Sequence, residues 1–188
     1  MQITSLTVGP VATCCYILSP EGGKSCVIID PGAEAERIRR AADGKQIAAI
    51  LLTHGHFDHI AAVSSLMDEG TALLIHELDA PMLGDPALNA SRFLMGREVT
   101  APPATDLLRE GSHRTLAGLE IEVLHTPGHT PGSVCFRIEN HLFTGDTLFE
   151  HGWGRTDLPG GDEHALCASL RRLMPIARTI PFHPGHES

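Results

Sequence analysis

The sequence predicts an α+β fold in which two groups of short strands are each accompanied by helices. Short apolar or β-branched runs bounded by glycine and proline occur in both halves of the 188 residues. Segments whose apolar residues are spaced as in a helix lie between the later strand-like runs of the first half. Another such segment lies near the end of the chain. Hydrophobic residues make up 42% and charged residues 20%, which is typical of a globular protein, so we expect a single domain over residues 1–188.

The first half is predicted to begin with three strands, over 1–8, 14–18 and 26–30. Only short segments containing glycine or proline separate them, so we expect antiparallel pairing. A helix, a buried strand, a second helix ended by Gly70, a strand and a short helix should follow. These elements are expected over residues 33–42, 47–53, 58–67, 72–76 and 79–83.

The second half repeats this alternation after a less regular stretch. Residues 85–104 mix Pro, Gly and Asn with scattered apolar residues, which predicts a loop with at most one helical turn. Strands are then expected over residues 115–116, 119–125, 133–139 and 141–144, followed by a helix over 163–173 and a last strand over 179–182.

The composition of the chain argues against nucleic acid and membranes as binding partners. The net charge is −9 and no basic run appears, so no nucleic-acid partner is expected. No apolar run approaches the roughly 20 residues that span a bilayer, and the N-terminus lacks the pattern of a signal peptide, so no membrane association is expected. The five cysteines have no framework spacing, which predicts reduced, core-filling thiols in a cytoplasmic protein.

Potential metal ligands are the most informative feature of the chain. A His-x-His-x-Asp-His cluster offers four donors within six residues, and three more donors lie in Thr-Pro-Gly-His, Thr-Gly-Asp and Pro-Gly-His segments. The seven residues are His54, His56, Asp58, His59, His129, Asp146 and His186. The first cluster alone exceeds what one tetrahedral ion with an open catalytic position uses. The spacing therefore predicts two metal ions.

These segments resemble, in order, the motifs of the metallo-β-lactamase superfamily, and most closely its glyoxalase II-like branch. Residues 8–10, 14–18 and 29–32 resemble the opening strands of that branch, and residues 144–161 resemble its long active-site loop. The resemblance covers nearly the whole chain. It implies a four-layer αββα sandwich, with the ligands on loops at one edge between the two sheets.

The resemblance also implies how the ligands divide. His54, His56 and His129 would hold the first ion, and Asp58, His59 and His186 the second, while Asp146 would bridge the two. Imidazole and carboxylate donors suit zinc, which we expect, but also iron and manganese. Asp58 and Asp146 would leave enough positive charge to favour a metal-bridging hydroxide, the expected nucleophile, because metal-bound water has a pKa of about 7.

Three other positions carry expectations. Asp30, which ends an apolar strand, would orient a ligating imidazole, or else it is an ordinary turn aspartate. Arg155 would contact a substrate carboxylate, or else it pairs with Asp157 or another carboxylate to shape its loop. His186 lies two residues from the end of the chain, so the second metal subsite is expected to be loosely held.

The glyoxalase II resemblance implies hydrolysis of a small-molecule thioester such as S-lactoylglutathione. No additional helical domain for glutathione fits in 188 residues, so we expect weak glutathione recognition or recognition by the loop at 149–161. The principal alternative is an iron-dependent persulfide dioxygenase, which would use His54, His129 and Asp146. A superfamily nuclease or lactonase is a weaker alternative, and Asp146 argues against a β-lactamase.

Overall fold

A computed structural model describes residues 1–187 and shows two sheets. The strands of the first sheet are Gln2–Val8 (β1), Thr13–Ser19 (β2), Ser25–Ile29 (β3), Gln46–Leu51 (β4), Ala72–His76 (β5) and Asp106–Leu108 (β6). They lie in sequence order, antiparallel from β1 to β3 as predicted and parallel from β3 to β6. The parallel part brings the ends of β3 and β4 to one edge of the sheet.

The second sheet contains the remaining strands. They are His113–Leu116 (β7), Leu119–His125 (β8), Val134–Ile138 (β9), His141–Gly145 (β10) and Phe182–Pro184 (β11), in the order β11-β10-β9-β8-β7. Neighbouring strands from β7 to β10 are antiparallel, whereas β10 and β11 are parallel. The ends of β10 and β11 therefore meet at one edge.

The helices are short except for the last. They are Ala35–Ala41 (α1), Phe57–Ile60 (α2), Val63–Leu66 (α3), Ser91–Leu94 (α4) and Glu163–Ala177 (α5), with a 3₁₀ helix at Ala80–Leu83. The Asp162 side chain caps α5 by accepting a hydrogen bond from the Ala165 N–H. Across residues 1–187, none of these helices has the length and apolarity to cross a membrane.

Three clusters of buried apolar side chains pack the layers against one another in the predicted αββα order. The central cluster joins inward-facing residues of both sheets, such as Val27 and Phe136. The opposite face of the first sheet packs on α1, α2 and α3, and that of the second sheet packs on α5. Residues alternate along each strand between two faces, so both faces of each sheet are covered by apolar contacts.

Several elements differ from the predictions. The helix expected over 58–67 is split into α2 and α3, because the Ala62 N–H bonds to the Pro31 carbonyl instead of continuing the helix. Helix α5 extends past Pro175, which lies in its last turns and removes only one backbone donor. The three-residue strand β6 was not predicted, and the last strand lies at Phe182–Pro184 rather than 179–182. Cys167 is exposed, so the core-filling prediction was wrong for that thiol.

Candidate metal centre

Four loops bring the seven predicted ligands to one edge of the sandwich. The first loop follows β4 and leads into α2, and the others follow β8, β10 and β11. Backbone hydrogen bonds join these loops: Val134 N–H donates to the Thr53 carbonyl, and Gly185 N–H donates to the Gly145 carbonyl. The donors form three overlapping groups whose atoms lie within 4.8 Å of one another, namely His54–His56–His129, His54–His59–Asp146 and Asp58–His59–His186.

The predicted second subsite has the spacing of a tetrahedral ion site. His59 Nε2 lies 3.4 Å from Asp58 Oδ2, 3.4 Å from His186 Nε2 and 3.4 Å from Asp146 Oδ1. His186 Nε2 lies 3.3 Å from Asp58 Oδ2 and 3.4 Å from Asp146 Oδ2. The His59 Nε2, His186 Nε2 and Asp58 Oδ2 atoms form a triangle with sides of 3.3–3.4 Å, which is the separation of donors that lie about 2.1 Å from one tetrahedral ion. Asp146 brings a different carboxylate oxygen to within 3.4 Å of each of the two nitrogens. These four side chains fit a divalent ion.

The predicted first subsite is formed by His54, His56 and His129. His56 Nδ1 and His129 Nε2 face each other at 2.9 Å. His129 Nε2 also lies 3.4 Å from Asp146 Oδ2. The buried His54 Nε2 and Asp146 Oδ1 atoms have no hydrogen-bond partner among the described residues. Buried polar atoms without partners are costly, and a bound cation would satisfy these lone pairs.

Hydrogen bonds outside the cluster fix which ring nitrogen faces inward. His129 Nδ1 donates to the Arg155 carbonyl at 2.7 Å, and His186 Nδ1 donates to the Val11 carbonyl at 2.9 Å. Each contact places the proton on Nδ1, so Nε2 keeps the lone pair that a metal needs. His54 Nδ1 lies 3.1 Å from the Thr53 hydroxyl, which leaves its Nε2 facing the cluster in the same way.

Asp30 lies directly behind the cluster. Its carboxylate accepts hydrogen bonds from the Thr53 N–H at 2.8 Å and the Thr53 hydroxyl at 2.6 Å. Asp30 Oδ2 is also 3.0 Å from His59 Nδ1, although the ring N–H is not aligned well enough for a regular hydrogen bond. Asp30 therefore contacts one predicted ligand directly and a second, His54, through Thr53.

Residues 184–186 are held more tightly than their position in the sequence suggested. Cys14 N–H donates to the Gly185 carbonyl at 2.7 Å, and the Tyr16 hydroxyl donates to the Pro184 carbonyl at 2.7 Å. A Cβ at Gly185 would collide with Asp146 Oδ1, so only glycine allows the chain to pass this close. The expectation of a loosely held His186 is not supported by these contacts.

A buried carboxylate that the sequence did not single out joins two ligand loops. Asp79 is 0% exposed and accepts hydrogen bonds from Gly55 N–H at 3.0 Å, Gly132 N–H at 2.6 Å and the Thr130 hydroxyl at 2.7 Å. Gly55 lies between two predicted ligands, and Thr130 follows His129 directly. Asp79 precedes a 3₁₀ helix and belongs to no motif, so no sequence signal marked it.

The carboxylates and imidazoles of the cluster shift one another's pKa. Burial lowers the pKa of His59, but Asp58 and Asp146 outweigh burial and raise it well above the usual range. Burial likewise lowers the pKa of His186, and hydrogen bonds to the same two carboxylates raise it to about 10. Burial lowers the pKa of His56 to about 3. Without a bound ion, Asp58 and Asp146 therefore favour the protonated forms of the His59 and His186 imidazoles.

An open cleft of about 370 Å³ adjoins the cluster and includes Phe149, Trp153 and Arg155 in its walls. Trp153 is 64% exposed. The Arg155 guanidinium pairs with Asp157, with Nε 2.6 Å and an NH2 nitrogen 2.7 Å from the two carboxylate oxygens. This pair is the structural alternative that the sequence left open, and a substrate contact by Arg155 stays a prediction.

The chain is similar to known proteins over most of its length. The sequence profile of the Metallo-beta-lactamase superfamily matches residues 8–183. The "Probable metallo-hydrolase YqgX" of Bacillus subtilis is 36% identical over 97% of this chain and 87% of its own. The "Hydroxyacylglutathione hydrolase GloC" of Haemophilus influenzae is 38% identical over 88% of this chain and 81% of its own. The chain belongs to the metallo-β-lactamase superfamily, a superfamily of metallo-hydrolases.

Solved structures of related proteins agree with the fold. The BLEG-1 B3 metallo-beta-lactamase is 41% identical with a TM-score of 0.91, covering 100% of this chain and 92% of its own. A di-iron-bound form of TTHA1623 is 39% identical with a TM-score of 0.84, and the match covers 98% of this chain and 92% of its own. ETHE1 from Myxococcus xanthus is 27% identical with a TM-score of 0.79, and the match covers 100% of this chain and 76% of its own. The named activities differ and the one named metal is iron, so family membership alone fixes neither substrate nor metal.

Proposed function

We propose that the protein is a metal-dependent thioesterase of the hydroxyacylglutathione hydrolase type that holds two divalent ions. The main support is the position of the Asp146 carboxylate, which adjoins both donor groups. Asp146 Oδ1 lies 3.4 Å from His59 Nε2, and Oδ2 lies 3.4 Å from His129 Nε2. A carboxylate shared in this way suits two neighbouring ions, with zinc as the expected metal and iron or manganese as alternatives.

The residues of this site have separate tasks. Two bound divalent ions would supply a coordinated water whose pKa is lowered to about 7, and hence a nucleophile at neutral pH. Asp58 stays ionised, because His59 and His186 outweigh burial and lower its pKa well below the usual range. The Thr13 hydroxyl donates to Asp58 Oδ2 at 3.1 Å and fixes the orientation of that carboxylate. Asp30 and the Arg155 carbonyl orient imidazoles from behind.

The cleft favours a substrate whose leaving group needs little protonation. Of the side chains that line it, His129, Asp146 and His186 are assigned to metal, and Arg155 is paired. The remaining Phe149 and Trp153 donate no proton to a leaving group. A thiolate, with a pKa near about 8.5, leaves more readily than an amine or alkoxide under such conditions. Thioester hydrolysis also agrees with the activity named for the GloC relative.

The test compares two reactions on one preparation of the full chain. After loading with zinc, manganese or iron, we expect cleavage of S-lactoylglutathione, with a rate that rises with pH through about 7. Oxygen consumption is measured in parallel with glutathione persulfide as substrate. Oxygen uptake with iron alone, and no thioester cleavage with any metal, would replace the hydrolase with the dioxygenase that uses His54, His129 and Asp146.

β-Lactam hydrolysis is a second candidate, because the BLEG-1 β-lactamase is 41% identical over the whole chain. It requires release of an amine, for which the cleft of the described residues offers no separate proton donor. We therefore expect a lower kcat/KM for β-lactams than for S-lactoylglutathione in the same metal-loaded preparation. A higher value for a β-lactam would reverse the assignment.

A further inference from the structure

A second cavity, of about 230 Å³, lies on the Asp58 side of the metal centre and has no part in the proposed chemistry so far. It is enclosed by the turn between β1 and β2, the N-terminal end of α1, helices α2 and α3, and residues 95–99. Its floor is adjacent to the metal centre, because Thr13 and Asp58 both line it and hydrogen-bond to each other. Val11, another wall residue, accepts the hydrogen bond from His186.

The metal centre therefore has a recess on each of two sides, and these recesses differ in character. The cleft beside Trp153 and Arg155 is wide and open to solvent. The cavity beside Asp58 is smaller and more enclosed, and small residues such as Ala33, Ala61 and Ala62 make much of its wall. A thioester has two arms joined at the reacting carbonyl. A large polar thiol such as glutathione suits the open cleft, and a short acyl group suits the enclosed cavity.

The charged groups in the cavity wall indicate what kind of acyl group fits. The Glu34 carboxylate is already occupied, since it accepts hydrogen bonds from Gly9 N–H at 2.9 Å and Arg37 at 3.1 Å. Arg97 also lines the cavity and has no ion-pair partner within the described residues 1–187. Asp58, the other carboxylate of the lining, is assigned to a metal ion, so Arg97 is left as the one lining charge without a partner among the described residues. A guanidinium in this position recognises a carboxylate, often through two parallel hydrogen bonds.

Building on the proposed thioesterase function, we propose that this cavity binds the acyl arm of the substrate and that Arg97 selects acyl groups ending in a carboxylate. The natural substrates would then be half-thioesters of short dicarboxylic acids. Hydrolysis releases the free thiol and a dicarboxylate, with water supplying the oxygen and both hydrogens.

The first test uses two thioesters of glutathione that differ only in charge, S-succinylglutathione and S-succinamoylglutathione. We expect kcat/KM to favour the succinyl compound by about tenfold, mainly through KM. Arg97→Gln should reduce this preference to about one and leave cleavage of S-acetylglutathione unchanged. Arg92→Gln is the matched control, because Arg92 lies in the same segment, is exposed and pairs with Glu98. A preference that survives Arg97→Gln would overturn the assignment.

The second test fills the cavity. Ala61→Leu should raise KM for the succinyl thioester at least tenfold, and more than it raises KM for the smaller acetyl thioester, while circular dichroism checks that the variant is folded. Ala168→Leu, at an exposed position on α5, is the control and should change neither value. Equal effects of Ala61→Leu on both thioesters would contradict an acyl pocket.

Binding measurements separate failure of the pocket from failure of the proposed function. Calorimetry on the metal-loaded protein should give tighter binding of succinate than of succinamate, and Arg97→Gln should remove the difference. Cleavage of S-lactoylglutathione without any succinate preference would refute the pocket and leave the thioesterase intact. The protein could instead prefer succinate in an Arg97-dependent way and yet cleave no thioester. That result would refute the thioesterase and the acyl-arm role, and it would leave only a cavity that binds carboxylates.

Discussion

Replacing Asp79 tests whether one buried carboxylate holds the two histidine loops together. Asp79→Ala removes the acceptor for two backbone N–H groups, those of Gly55 and Gly132, in a place that water does not reach. Each buried group left without a partner costs about 1–3 kcal/mol, so the two together predict a loss of about 2–6 kcal/mol. The Thr130 hydroxyl adds less, because Ser133 Oγ is 2.7 Å away and offers another partner.

The assay is chemical unfolding of the metal-loaded protein, read as the free energy of unfolding. Asp79→Asn keeps one acceptor oxygen and should lose about half as much as Asp79→Ala. Asp162→Ala is the matched control: it removes an exposed helix cap with one bond, to Ala165 N–H, and should cost about 1 kcal/mol. A loss for Asp79→Ala no larger than that of the control would refute the role of the carboxylate in joining the loops.

Three further predictions concern the metal centre. Asp146→Ala should lower thioesterase activity more than tenfold, because it removes the ligand shared by both ions, whereas the exposed control Asp106→Ala, on β6, should not; retention within about tenfold would refute the bridging role. Loading the metal-free protein at neutral pH should release at least two protons per chain, two from His59 and His186 and a further fraction from metal-bound water, measured by calorimetry in buffers of different ionisation enthalpy; release of one or none would contradict their raised pKa. Because the pKa of His186 is raised, its protonated form stabilises the metal-free protein fully below about pH 6.5, and this stabilisation is lost as the pH rises through about 10. The free energy of unfolding should therefore fall over that pH range without metal and stay level with metal bound.

The candidate ligand set could be proposed from the sequence because four of its seven members lie close together in the chain. His54, His56, Asp58 and His59 lie within six residues, and their order restricts which donors face one ion. The strands were also predicted well where apolar runs end at glycine or proline, as in β2 and β3. Both features depend on residues that are close in the chain.

What the sequence did not reveal depends on contacts between distant residues. Aspartate is usually a surface residue, and only the fold buries Asp79 against the loops that contain Gly55 and Thr130. The break between α2 and α3 arises from a hydrogen bond between Ala62 and Pro31, about thirty positions apart. The cavity beside Asp58 likewise combines the β1–β2 turn with Arg97. Neither periodicity nor motif spacing carries such information.

Counting and locating the metal ions tests the central claim most directly. Elemental analysis of protein purified with full metal supply should give two ions per chain, and anomalous scattering from its crystals should place one ion among His54, His56 and His129 and the other beside Asp58, His59 and His186. Asp146 should lie between the two peaks. A single ion per chain at full metal supply, with Asp58 and His59 uncoordinated, would contradict the two-metal site.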